Sequence, residues 1–466
     1  MLKSNETTAG PGKMPACLTL LCASLLAMPV PGAERHIEPG QPLQAALDMA
    51  AAGDRLILAP GTYSGNFVIR TPIALEGEDG ARLRCNHRQY CLRIEAPDVS
   101  IENLELADWG ANLSTLDAGI FVTREAARVH IAGNWLQGDS FGIWIDAAPD
   151  ARIEGNRISG NPSVRSQDRG NGIQLFNVSG AEVAGNEVWQ TRDGIYIDTS
   201  NDNRLVDNHL HDLRYGIHYM YSHHNALIGN RTRNTRTGYA LMQSKYLTVS
   251  GNRSDGDLNY GFLLNYITNS TLSGNRISGV RAGRATAAGG GSAVAGAEGK
   301  AIFIYNSLFN EITDNLFADS DLGIHLTAGS EDNRLSGNAF IGNREQVKYV
   351  ATREQNWSHA GSGNYWSDYL GWDLDGDGIG DTRYEPNDGI DRLLWQYPDA
   401  RVLFNSPAVE VLRWVQRQFP VLKAPGVIDS HPLMSSHWLE DLQSQAADQN
   451  PRKPEDRNEY RRTAQR

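Results

Sequence analysis

Residues 182–198 read EVAGNEVWQTRDGIYID, residues 204–220 read RLVDNHLHDLRYGIHYM and residues 226–242 read ALIGNRTRNTRTGYALM, three lines that align without a gap at an offset of 22. In each, a short apolar alternation ends in Gly or Asp followed by Asn, and a later Gly opens a second apolar run (GIYI, GIHY, GYAL). The Asn marker, preceded by Gly, Asp or Glu, recurs at Asn103, Asn134, Asn156, Asn186, Asn208, Asn230, Asn252, Asn275, Asn315 and Asn338. Four of its spacings are 22 and two are 23. A fixed period of this size marks a repeat architecture, in which each unit buries its apolar face only against its neighbours. The segments between markers are too short to hold a crossover helix. What remains is a coil whose strands pair in parallel with the equivalent strands of the next coil. The chain is therefore expected to form an all-β, right-handed parallel β-helix. About twelve coils at roughly 4.8 Å each predict a rod near 58 Å long. Asn is expected to take the left-handed backbone at a coil corner, with its amides hydrogen-bonded along the axis.

Both ends depart from the period. Lys3, Lys13 and the apolar run Ala16–Met28 read as a secretory signal peptide over residues 1–33, cut after Ala33. Residues 34–345 are assigned to the β-helix. Gln41 to Ala52 is amphipathic and reads as a helix capping the first coil. The interval Asn275–Asn315 is 17 residues longer than the neighbouring 23, and the Gly/Ala-rich stretch 282–299 reads as a flexible insert. Past Asn343 the repeat stops. Residues 346–437 form a mixed aromatic and acidic segment, with Ser406-Pro407 starting a helix over 407–419 whose apolar stripe is Ala408, Leu412, Val415 and Phe419. Residues 438–466 are polar and read as a disordered tail.

A net charge of −12 argues against nucleic acid as the main partner. With the leader removed, Cys85 and Cys91 are the only cysteines, and in an oxidising compartment they read as a disulfide rather than as two free thiols.

Alternate residues of a strand face opposite ways. In Tyr215–Met220, Ile217 and Tyr219 point inward, so His218 and Met220 point out, and Met242 stands one coil later beside Met220. His223 and His224 follow at the corner; His209 and His211 precede. Two thioethers with imidazoles nearby suit a soft monovalent copper ion; the alternative is Met as adaptable filler beneath a loop or partner. Arg192, Arg214 and Arg236 each stand six residues after a marker and form a second ladder. They either pair with Asp193 and Asp212 or bind an acidic partner or sugar. Asp373, Asp375, Asp377 and Asp381, with the Ile379 carbonyl, match most of a calcium loop. Position 12 is Tyr384, so the loop is not an EF-hand.

The C-terminal run GNYWSDYLGWDLDGDGIGDTRYEPNDGIDRLLWQYPDARVLFNSPAVEVLRWVQRQFPVLKAPGVIDSHPLM resembles the NosD family of periplasmic maturation factors for nitrous oxide reductase, and with the coils the resemblance covers roughly residues 35–437. It implies a periplasmic, non-enzymatic scaffold that helps assemble the copper–sulfide centre of the reductase. The implied partners are an ABC transporter (a membrane subunit and an ATPase), a copper chaperone and the reductase itself. The resemblance lends no catalytic residues, so the copper set His218, Met220, Met242, His223 and His224 rests on face and spacing alone. Two other readings stand beside it. One is a polysaccharide lyase, epimerase or hydrolase, which needs an acid/base set in a groove and for which the arginine ladder is the sole candidate. The other is an exported structural solenoid.

Overall fold

Three parallel sheets wrap one apolar interior. In chain order within a coil, the first sheet has thirteen strands (Glu34–Ile37 to Arg334–Ser336), the second thirteen (Gly61–Ser64 to Tyr365–Trp366) and the third twelve (Phe67–Ile69 to Glu345–Val350). That is one coil more than the twelve expected, and the last strand of the second sheet, Tyr365–Trp366, lies beyond the expected end at residue 345. The computed structural model describes residues 32–282, 298–327, 329–350, 353–387, 406–418 and 426–442, with a few single positions between 390 and 399. The leader (1–31), the insert (283–297) and the tail beyond 442 lie outside the described residues. No described helix is long and apolar enough to cross a membrane.

Each column of the core follows from the repeat. Strands Glu182–Ala184, Arg204–Val206 and Ala226–Ile228 pair in register, so Val183, Leu205 and Leu227 stack inward and are fully buried. Burying such a side chain is worth about 1.5–3 kcal/mol, and the contact recurs in every coil.

The Asn ladder corrects one expectation. It runs through Asn134, Asn156, Asn186, Asn208, Asn230, Asn252, Asn275, Asn315, Asn338 and Asn364, each Nδ2 donating to the next Oδ1 at 2.8–3.0 Å. These residues are buried. The left-handed backbone belongs to the residue before each of most rungs, such as Gly133 (φ 64°), Asp207 (φ 52°) and Gly229 (φ 67°). That explains Gly and Asp as predecessors: one lacks a Cβ and the other tolerates this region. Asn103 is itself left-handed (φ 57°), exposed, and one position out of register; Leu104 fills its coil's rung and donates its N–H to Asn134 Oδ1 at 3.0 Å.

At the N-terminal end, α1 (Leu43–Asp48) is shorter than the expected 41–52 and covers the first coils with Leu43 and Leu47. Gln44 joins it to the third sheet, accepting from Val68 N at 2.8 Å and donating to Val68 O at 3.0 Å. The other end continues past Asn343, where the sequence reading stops it. Asn364 adds a rung, and the buried Asp429 closes the ladder, its Oδ2 accepting from Asn364 N (2.7 Å), Asn364 Nδ2 (3.3 Å) and Trp366 Nε1 (2.9 Å). Phe317, Phe340, Trp366 and Tyr384 stack in one column over the last coils, with centroids 5.1, 4.3 and 4.7 Å apart. The aromatic segment is thus largely the lid of the solenoid.

Two further expectations change here. In α2 (Pro407–Gln418), read from the sequence as one apolar stripe, the members part: Val415 is half-buried while Ala408 and Leu412 are exposed, as are Val411 (59 %) and Trp414 (55 %), and the buried residue is Val409, outside the stripe. Arg413, paired with Asp391 at 2.7 Å, occupies the inner side instead, and Phe419 lies outside the described residues. Residues 437–442 are helical rather than disordered, with Trp438 and Leu442 packed on Leu316, Ala318 and Ala339. Both ends of the insert are anchored, since Ala282 N and Gly299 N each donate to Asp321 Oδ2 at 3.0 Å.

Candidate functional site

The third sheet sets Met220 directly opposite Met242. Ile217, Tyr219, Tyr239 and Leu241 fill the interior, so both methionines stand half-buried on the outer face. Along that column Asp198 precedes Met220 and Asn265 follows Met242. His218 lies two residues from Met220 on the same face, opposite Tyr196 on one side and Ala240 on the other. Its ring stacks on Tyr196 (4.2 Å) and meets the edge of Tyr215 (5.0 Å).

His218 is held by a charged relay. Its Nδ1 is 3.1 Å from Asp193 Oδ2, and Arg214 donates to the same carboxylate through Nε (2.8 Å) and Nη2 (2.6 Å). Asp193 is completely buried, which on its own raises a carboxyl; the hydrogen bonds from His218 and Arg214 outweigh that and hold it below the usual range. A carboxylate on Nδ1 fixes the ring tautomer and leaves Nε2 as the ligating atom, the arrangement that orients metal-binding histidines. Past the corner formed by Tyr221 and buried Ser222, His223 Nδ1 accepts from Lys245 N (3.2 Å) and His224 stacks on Tyr246 (4.7 Å). The structure therefore gives these two histidines other neighbours.

The arginine ladder is not three equivalent cations. Arg192 donates to Asn171 Oδ1 (3.1 Å), Arg214 is committed to Asp193, and Arg236 is exposed. Asp212 turns instead to His211 Nδ1 (2.8 Å) and to Asn234.

A set not assembled from the sequence lies on the second sheet. Glu187, His209 and His211 offer ligand atoms all within 4.8 Å of one another. Glu187 is opposite His209 in register, 22 positions earlier in the repeat, and that offset is the signal that identifies it. Burial and then the neighbouring His211 hold His209 below the ordinary imidazole value.

In the acidic loop Asp373, Asp375 and Asp377 come together. Asp373 accepts from Gly376 N (2.7 Å) and Gly378 N (2.9 Å), and the Gly378 bond leads in holding its carboxyl below the usual value. Asp381 Oδ2 accepts from Leu374 N (2.8 Å), and Ile379 bridges to Leu433. Cys85 and Cys91, both buried, are joined with Cα atoms 5.3 Å apart, within the usual disulfide range.

Residues 154–371 match the family model NosD, described as a periplasmic copper-binding protein. A protein of Pseudomonas aeruginosa named probable ABC transporter binding protein NosD is 56 % identical over 437 residues, covering 93 % of this chain and 98 % of its own. One of the same name from Stutzerimonas stutzeri is 58 % identical over 381 residues, covering 82 % and 87 %. Among solved structures, an exopolygalacturonase of Yersinia enterocolitica is similar with a TM-score of 0.47 and 10 % identity, over 72 % of this chain and 77 % of that one. A likeness at that level carries nothing about function.

Proposed function

The chain belongs to the NosD family, and from that premise we propose that it is a non-enzymatic periplasmic scaffold that carries copper for assembly of the copper–sulfide centre of nitrous oxide reductase. The observation that carries the copper reading is the outward Met220–Met242 pair with His218 beside it, locked through Asp193 to Arg214. Thioether and imidazole donors select monovalent copper. Copper is the cargo here, received from a chaperone and passed on. The relatives' names support an ABC transporter as partner. The exposed Val411, Leu412 and Trp414 of α2 support that helix as the element docking on the membrane subunit, while the ATPase acts from beyond it.

The test is a deletion strain respiring nitrous oxide with ample copper. Reductase purified from it is expected to keep its electron-transfer copper and lack the catalytic cluster. A fully loaded, active reductase would overturn the assembly role. In vitro, Met220→Leu with Met242→Leu is expected to weaken binding of one Cu(I), measured against a competing chelator, by at least tenfold; unchanged affinity removes copper from this face.

For the acidic loop we propose calcium on Asp373, Asp375 and Asp377, stiffening the segment that bridges through Ile379 to Leu433 and through Tyr384 to Asp429. Chelation is expected to lower the melting temperature by a few degrees, and added Ca²⁺ to restore it. A melting curve indifferent to both rules calcium out.

A further inference from the structure

We propose that Glu187, His209 and His211 form a second metal site, on the second sheet, for a divalent transition-metal ion such as Cu²⁺ or Zn²⁺. The donor chemistry differs from that of the methionine face: two imidazoles and a carboxylate, with no thioether, favour a borderline divalent ion.

The site is prepared from outside its ligands. His211 Nδ1 is bound to Asp212 Oδ2 at 2.8 Å, which turns Nε2 toward Glu187 Oε1, 3.6 Å away. The His211 ring lies parallel to Trp189 (interplanar 3°, centroids 5.8 Å), so its plane is set as well. Arg157 donates to the other Glu187 oxygen, Oε2, at 3.0 Å and lies over Trp189, leaving Oε1 to the imidazoles. His209 projects from the same short strand as His211, with the buried Leu210 between them, and the two rings are 4.9 Å apart. Each ligand thus has a partner fixing its orientation or a strand position fixing its direction. Such supporting contacts typically change metal affinity by about 10–100-fold.

A cavity of about 370 Å³ borders both imidazoles and is lined also by Arg233, Asn234 and Asp255. Three protein ligands beside an open space leave a coordination position for a water or an exchangeable ligand, as in catalytic or transfer sites rather than closed structural ones.

The proposal stands on residues separate from those of the copper-cargo reading, so either fails without the other. The full chain would be titrated calorimetrically with Cu²⁺ and with Zn²⁺, and the Cu²⁺ complex examined by electron paramagnetic resonance. One equivalent is expected to bind, with the Cu²⁺ signal showing coupling to two imidazole nitrogens. His209→Ala and His211→Ala are each expected to weaken binding by at least a hundredfold, and Glu187→Gln by at least tenfold. Asp212→Asn, a positioning change, should weaken it about tenfold while leaving the two-nitrogen signature. Met220→Leu with Met242→Leu should leave the divalent titration unchanged. The histidines point away from the core, so an unchanged melting temperature in metal-free buffer confirms intact coils. If His211→Asn, tested as a second variant, and His211→Ala bind as the parent does, or if the parent binds neither ion, the site is wrong.

Discussion

Asn208→Ala is expected to lower the unfolding free energy by about 4 kcal/mol. In the native coil, Asn208 Oδ1 accepts from both the backbone N–H and the Nδ2 of Asn186 at 3.0 Å, and its own Nδ2 donates to Val183 O and Asn230 Oδ1 at 2.8 Å. Alanine leaves the buried Asn186 N–H without its acceptor and Val183 O without its side-chain donor, while Asn186 Nδ2 keeps Ile153 O and Ala184 O. Each orphaned buried group costs about 1–3 kcal/mol, and the missing side chain adds a small void. Asn103→Gly is the matched control: Asn103 is exposed, left-handed and off the ladder, so the change should stay within about 0.5 kcal/mol. Urea unfolding of the two variants measures the contrast. Equal midpoints would show that the ladder does not carry the stability assigned to it.

Asp193→Asn is expected to cost about 2 kcal/mol at neutral pH, because the half-buried guanidinium of Arg214 loses a counter-charge that is itself fully buried. The same variant should weaken Cu(I) binding about tenfold, since His218 loses the carboxylate that orients it. The pH dependence separates charge from shape. Asp193 titrates below its unfolded value. Its contribution is therefore fully present above an unfolded carboxyl pKa of about 3.9 and is lost as pH falls through the lower folded value. The stability gap between parent and variant should be constant above about pH 5 and close at lower pH. A gap that persists unchanged into acid would mean that packing, not the ion pair, accounts for the loss.

The fold was legible because a solenoid pairs each residue with the one a period away. An offset of 22 predicts a neighbour as well as a period, which is how Met242 was placed beside Met220. The same arithmetic, applied one residue after each ladder Asn, joins Glu187 to His209. Partners outside the period were not legible. Asp193 meets His218 from 25 positions away, on the neighbouring strand but three residues off its register partner Tyr215, and Asp429 reaches Asn364 from 65. The Asn103 register failed because Glu-Asn resembles Gly-Asn in sequence, although only the predecessor's backbone decides which Asn turns inward. In α2 the 3.6-residue stripe identified a helix, but an ion pair between Arg413 and Asp391 decided which side faces in. Apolar periodicity alone does not contain that information.

The side-chain hydrogen bonds of the ladder all run one way, amide to amide toward the C-terminus, and end on Asp429, whose Oδ2 accepts the last of them. A chain made from its N-terminus can add coils in the order they emerge, each new rung accepting from the one already in place. The last acceptor, however, comes 65 residues after the rung it closes. Until that stretch arrives, the growing end is an open sheet edge, able to pair with any other strand. Asp429 therefore acts as a stop signal for stacking. It makes the two poles of the ladder unlike, since the first rung offers an acceptor and the last is closed by one.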